Sequence, residues 1–144
     1  MVKYSDKKVS EFLEALGSRS PVPGGGSAAA LVGSLGASLL CMVIHFTIGK
    51  KGYEREASEM KKVLLASYRL RDRLTRLVDE DTQSYLEVSR AQRTAKLLTQ
   101  KEAKEKVLRK ALRKALASSL SICKSSHRGI LLSQKVIQKG NVHL

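Results

Sequence analysis

The segment Pro21-Val22-Pro23-Gly24-Gly25-Gly26-Ser27-Ala28-Ala29-Ala30 runs directly into a stretch, Ser27 to Gly49, that contains no Asp, Glu, Lys or Arg. Prolines disfavour helix at the residues before them, and consecutive glycines free the backbone. Ser18–Gly26 therefore reads as a loop, with Ser27 as the N-cap of a central helix from Ala28 to about Ile48. The helix is apolar nearly all round, which predicts burial on most sides. Ala30, Gly33, Ser34, Ala37 and Ser38 recur at steps of three and four. Such small residues admit a second helix at close range, from the same chain or from another copy. The uncharged run is long enough to cross a bilayer. However, Ser27, Ser34, Ser38, Thr47 and His45 dilute its apolar signal and favour a helix buried in a soluble bundle.

Helical patterns extend on both sides. Ser5 reads as an N-cap, followed by Val9, Phe12, Leu13 and Leu16 at helical spacing and by Gly17 as a stop. After a break at Gly49–Gly52, one long helix is expected from about Tyr53 towards Leu98, with an interruption near Ala91–Thr99. Its apolar seam runs through Met60, Val63, Leu70, Leu74, Leu77 and Val78 to Asp81, Tyr85 and Val88. Thr99-Gln100-Lys101-Glu102 has the form of a capping box and opens a fourth helix. A further helical stretch, Leu120 to Lys139, stops at Gly140-Asn141. No strand pattern or repeat interrupts this series. The expectation is an all-α fold: one domain over residues 1–144, a bundle of long helices with a buried central helix.

Composition narrows the function. At 144 residues with 42% hydrophobic content, the chain can build one core, and 4% aromatics with no Trp make that core aliphatic. Cys41 and Cys123 are isolated, and no His/Cys cluster has metal-ligand spacing, so no metal site is expected. No apolar stretch of secretory type follows Met1–Lys8, which points to a reducing, cytoplasmic setting. The formal charge of +14 suits either a solvated basic surface or attraction of an anionic partner. Its Lys and Arg residues are dispersed, and stacking aromatics are few, which argues against nucleic acid.

Three features could carry chemistry. Pro23-Gly24-Gly25-Gly26-Ser27 stands where a helix starts, so its backbone N–H groups and the positive end of the helix dipole can face one anionic or polarised group. It is not a Walker loop, since no Gly-Lys-Ser/Thr follows. The alternative is a flexible turn with a serine cap. In Asp79-Glu80-Asp81, the second aspartate falls on the apolar seam, a costly position unless it is paired or used for proton transfer. It could equally be an ion-pair partner at a bend. His45, Lys50 and Lys51 stand at the far end of the central helix, where lysines complement the dipole and a lone His is commonly a hydrogen-bonded core residue.

Taken together, four stretches resemble the formiminotransferase-cyclodeaminase family, specifically its cyclodeaminase domain. They are Phe12–Leu16 with Ser20–Ala30, Thr47–Tyr53, Leu77–Tyr85 and Lys139–Asn141. The resemblance implies long helices, a homodimer, and an enzyme of folate one-carbon metabolism. Such enzymes close 5-formimidoyltetrahydrofolate to 5,10-methenyltetrahydrofolate with loss of ammonia, or open and close the methenyl bridge with water. It implies Asp81 as the catalytic acid and base. Pro23, Gly24, Gly25, Gly26, Ser27, Lys50, Lys51 and Asp79 would bind substrate. A folate-type small molecule would be the partner, and no cofactor would be needed. The family continues past Gly-Asn with a Ser-Asp segment and further helices, so the expected bundle is C-terminally shortened. Two other readings stay open here: a non-catalytic helical scaffold of the same fold, and a basic nucleic-acid-binding helical module.

Overall fold

One short and three long α-helices, with one 3-10 turn, carry the chain in a computed structural model that describes residues 3–141. They are α1 (Val9–Gly17), α2 (Gly25–His45), α3 (Ala57–Leu97) and α4 (Lys101–Lys139), with the turn at Glu54–Glu56. No strand occurs among the described residues, so the all-α expectation holds. Several boundaries differ from the sequence expectation in a way that matters. α2 starts at Gly25, which puts Ser27 inside its first turn and not at the cap. α3 runs unbroken to Leu97, and α4 is one helix where two stretches were expected. At α1, Ser5 is not the cap either. Lys8 holds that position without a side-chain bond, and Ser5 is used elsewhere.

The residues divide into two compact units. The first comprises the chain up to Ala29 together with Arg76–Ile122. Its buried apolar residues are Phe12 of α1, Leu77, Val78, Ala91 and Ala95 of α3, and Ala111 and Ile122 of α4. The buried face of α3 narrows from Leu and Val to Ala beyond Asp81, and small side chains on a buried face permit close packing. Lys114 of α4 pairs with Glu87 of α3 at 2.5 Å across the α3–α4 hairpin. Ser118 is buried with a hydroxyl that meets no partner among the described residues.

The second unit comprises Ala30–Thr75 with the residues from Cys123 on. Its core is Ala30, Ala37, Cys41 and Ile44 of α2, Met60, Val63, Leu70 and Leu74 of α3, and Leu132 and Val136 of α4. The small residues of α2 find their partner in the same chain. A Cβ at Gly33 would lie 3.2 Å from Leu74 Cδ1, and the Ser34 hydroxyl stands 2.8 Å from that of Thr75. The opposite side of α2 is open: Val32, Leu35, Leu39, Met42 and Phe46 are exposed, and only a third of its apolar window is buried. An apolar composition all round thus overstates its burial. α2 is also the one described helix long and apolar enough to span a bilayer. Both cysteines are free; Cys41 is buried, which pushes its thiol pKa up, and Cys123 is exposed.

Candidate active site

The first unit holds a cavity of about 380 Å³. Gly24, Gly25 and Gly26 form one wall, with Pro21 and Val22 beside them. Asp81, Ser84, Tyr85 and Val88 of α3 face them, and Leu112, Ala115 and Ser119 of α4 close another side. The loop-to-helix turn thus lines this cavity. The Ala28 N–H bonds the Gly24 carbonyl at 3.0 Å, so the N–H groups of Gly25, Gly26 and Ser27 precede the first intrahelical bond of α2. These donors and the helix dipole favour negative charge at this end.

Asp81 comes against the backbone of that turn. A Cβ at residue 26 would lie 2.2 Å from Asp81 Oδ1 and 2.5 Å from Cγ, a distance no side chain can share. Gly26 is therefore required by close approach. Behind it, Ser27 is fully buried. Its hydroxyl lies 2.9 Å from the Val78 carbonyl, 3.0 Å from Asp81 Oδ2 and 3.1 Å from the Thr82 hydroxyl, itself buried. Ser27 so exchanges a backbone cap for a side-chain contact with the carboxylate. Asp81 is half-buried, on an unbroken helix, and no Lys, Arg or His pairs with it among the described residues. The alternative of a bend with an ion pair finds no support in this geometry. A carboxylate facing a cavity, supported by a hydroxyl and set beside helix-start N–H groups, can accept and return a proton while those donors stabilise developing negative charge.

The other expected residues fall elsewhere. Pro23 is buried behind the loop. Asp79 turns away from the cavity: its Oδ1 accepts the N–H groups of Tyr4 (2.7 Å) and Ser5 (3.2 Å), and its Oδ2 accepts the Ser5 hydroxyl (2.6 Å). Lys50 and Lys51 belong to the second unit. Lys50 donates to Asn141 Oδ1 at 2.8 Å and lies 5.9 Å from the Tyr53 ring centroid, while Lys51 is exposed. Asn141 in turn donates its N–H to the Thr47 hydroxyl at 2.8 Å, which joins two of the stretches singled out in the sequence. His45 is exposed and shares a hydrogen bond of 2.6 Å with Tyr68. No cluster of three or more His, Cys, Asp or Glu side chains suited to a metal occurs among the described residues.

Sequence reasoning missed Ser84 as a lining residue, and with it the whole α4 wall. Asp81, Ser84, Tyr85 and Val88 are spaced to share one helical face, a signal that was available. Leu112, Ala115 and Ser119 share a face too, but nothing in the sequence says that it meets α3 at this point.

The sequence model of the formiminotransferase-cyclodeaminase family matches residues 8–144. A methenyltetrahydrofolate cyclohydrolase of Methylorubrum extorquens is 35% identical over 140 residues, which cover 96% of this chain and 67% of that protein. A formimidoyltransferase-cyclodeaminase of Gallus gallus is 40% identical over 79 residues, 55% of this chain and 15% of its own length. Among solved structures, a formiminotetrahydrofolate cyclodeaminase from Thermotoga maritima superposes with a TM-score of 0.82 at 26% identity, over 94% of this chain and 64% of that one. The chain spans less than two thirds of that solved structure and a much smaller part of the vertebrate protein. With the family model matched over residues 8–144 and a 35% identical relative covering nearly the whole length, the chain belongs to the formiminotransferase-cyclodeaminase family.

Proposed function

We propose that this protein is a folate one-carbon enzyme, a methenyltetrahydrofolate cyclohydrolase or formimidoyltetrahydrofolate cyclodeaminase. The observation that carries the reading is the Asp81 carboxylate, in contact with Gly26, at the start of α2 inside the cavity. In the cyclohydrolase direction, Asp81 takes a proton from water as its oxygen adds to the methenyl carbon, and returns it to the ring nitrogen that departs as the bridge carbon–nitrogen bond breaks. In the cyclodeaminase direction, N10 attacks the formimidoyl carbon, and Asp81 relays the proton that lets ammonia depart. Both are acid–base reactions served by one carboxylate, and neither calls for a metal or redox group. The N–H groups of Gly25 and Gly26 are placed to polarise a substrate carbonyl or amide.

The partner is a folate-type small molecule, acting in the cytoplasm, with no role for nucleic acid or membrane. The protein works as a homodimer. Support comes from the exposed face of α2, where Val32, Leu35, Leu39 and Met42, with Phe46 just past its end, alternate at steps of three and four, the spacing of a helix-pairing seam.

The test is absorbance-monitored turnover of methenyltetrahydrofolate by wild type and Asp81→Asn. The variant is expected to lose about 10²- to 10⁴-fold in kcat, the range for a general acid–base residue. Equal rates would remove Asp81 from the reaction, and an inactive wild type would sink the enzyme reading.

A further inference from the structure

Asp79 stands two residues before Asp81, about 200° away around the helix. The two carboxylates therefore leave α3 on different sides. One faces the cavity; the other accepts three hydrogen bonds from Tyr4 and Ser5. Such bonds to an ionised carboxylate are short and strong. They fix Tyr4, whose ring meets buried Phe12 edge to face, with centroids 6.0 Å apart. The Tyr4 hydroxyl then donates to the Val22 carbonyl at 3.0 Å, where the Ser20 hydroxyl also donates. Val22 lines the cavity two residues before Gly24, with Pro23 between them.

We propose that Asp79 is a positioning residue, which acts through Tyr4 to hold the Val22 end of the glycine loop where the substrate needs it. The proposal rests on reading the cavity as a folate site. It assigns Asp79 to the loop and not to the substrate. The N-terminal segment becomes a strap across the base of the loop, anchored at one end by a carboxylate and at the other by a phenol. A cap that only stabilised the fold would alter stability alone. A strap on the binding loop also alters how well substrate is held, with less effect on the step at Asp81.

Tyr4→Phe is the sharpest variant, because it removes one oxygen and leaves the ring on Phe12. Backbone hydrogen–deuterium exchange of residues 20–26 is expected to rise about fivefold in Tyr4→Phe, the loss of about one net hydrogen bond. Asp79→Asn should raise exchange over residues 3–8 as well. In the turnover assay, KM should increase about three- to tenfold with kcat within about twofold of wild type. Unchanged exchange at residues 20–26 in Tyr4→Phe would overturn the strap, and so would a fall in kcat at constant KM. If Asp79→Asn does not fold, Ser5→Ala removes one of the three bonds to the same carboxylate and takes its place. An inactive wild type would defeat the folate reading, while the exchange measurement would still decide the strap.

Discussion

A methyl group at residue 26 and the Asp81 carboxylate cannot occupy the same space. Gly26→Ala is therefore expected to swing the carboxylate away, with turnover falling at least ~100-fold, the scale for displacing a reacting group by about 1 Å. A loss of about 1–3 kcal/mol of stability by overpacking should accompany it; kinetics and thermal melting together measure both. Ser27→Ala strips a buried donor from Val78 and Asp81, and chemical denaturation should register about 1–3 kcal/mol. Ser118 gives the opposite sign. Its buried hydroxyl meets no partner among the described residues, so Ser118→Ala should leave stability equal or raise it by up to about 1 kcal/mol. At this scale the sequence showed Asp81 on the seam and glycines at the turn. It could not show that Gly26 is the one that touches Asp81, because the contact joins residues 55 apart through tertiary packing.

At the scale of elements, helix type and order followed from periodicity, and the ends were less legible. Ser27 has the chemistry of an N-cap, and local propensity alone would place it there. The tertiary contacts to Val78, Asp81 and Thr82 outweigh that preference and draw it into the helix. The last turn of α4 is fixed by Lys139, which pairs with Glu59 and, at 3.3 Å, with Glu56. The hydrogen bond from Lys139 holds the Glu59 carboxyl below its ordinary 4.5, and Glu59 holds the Lys139 ammonium above its ordinary 10.5. A lowered carboxylate stabilises the fold above its unfolded pKa and loses that contribution as pH falls through the folded value. A raised ammonium does the reverse, contributing below 10.5 and fading as pH rises through the folded value. The difference in melting temperature between wild type and Glu59→Gln should thus be flat through neutrality. It should shrink on acidification below 4.5.

For the whole molecule, charge and assembly are the open variables. The dispersed +14 charge could be read from the sequence, and so could an uncharged helix. That one long side of α2 stays uncovered could not, since composition does not say how many neighbours a helix has. Leu39 is 58% exposed within the chain, so Leu39→Lys should cost the fold little and the proposed dimer much. Light scattering is expected to report a dimer for wild type and a monomer for Leu39→Lys at the same concentration. The meeting of Thr47, Lys50 and Asn141 was equally hidden: it closes a span of 91 residues between Lys50 and Asn141 and depends on where α4 ends.

The Ser27 hydroxyl has one hydrogen and, besides the neighbouring Thr82 hydroxyl, two acceptors at nearly equal range, the Val78 carbonyl and Asp81 Oδ2. While Asp81 is ionised, that hydrogen steadies the carboxylate. Once Asp81 carries a proton, the hydroxyl can rotate to Val78 and leave no buried atom wanting. For the proton transfer proposed above, the site so has a resting arrangement for each half of the cycle. A single bond rotation, with no movement of the backbone, converts one into the other.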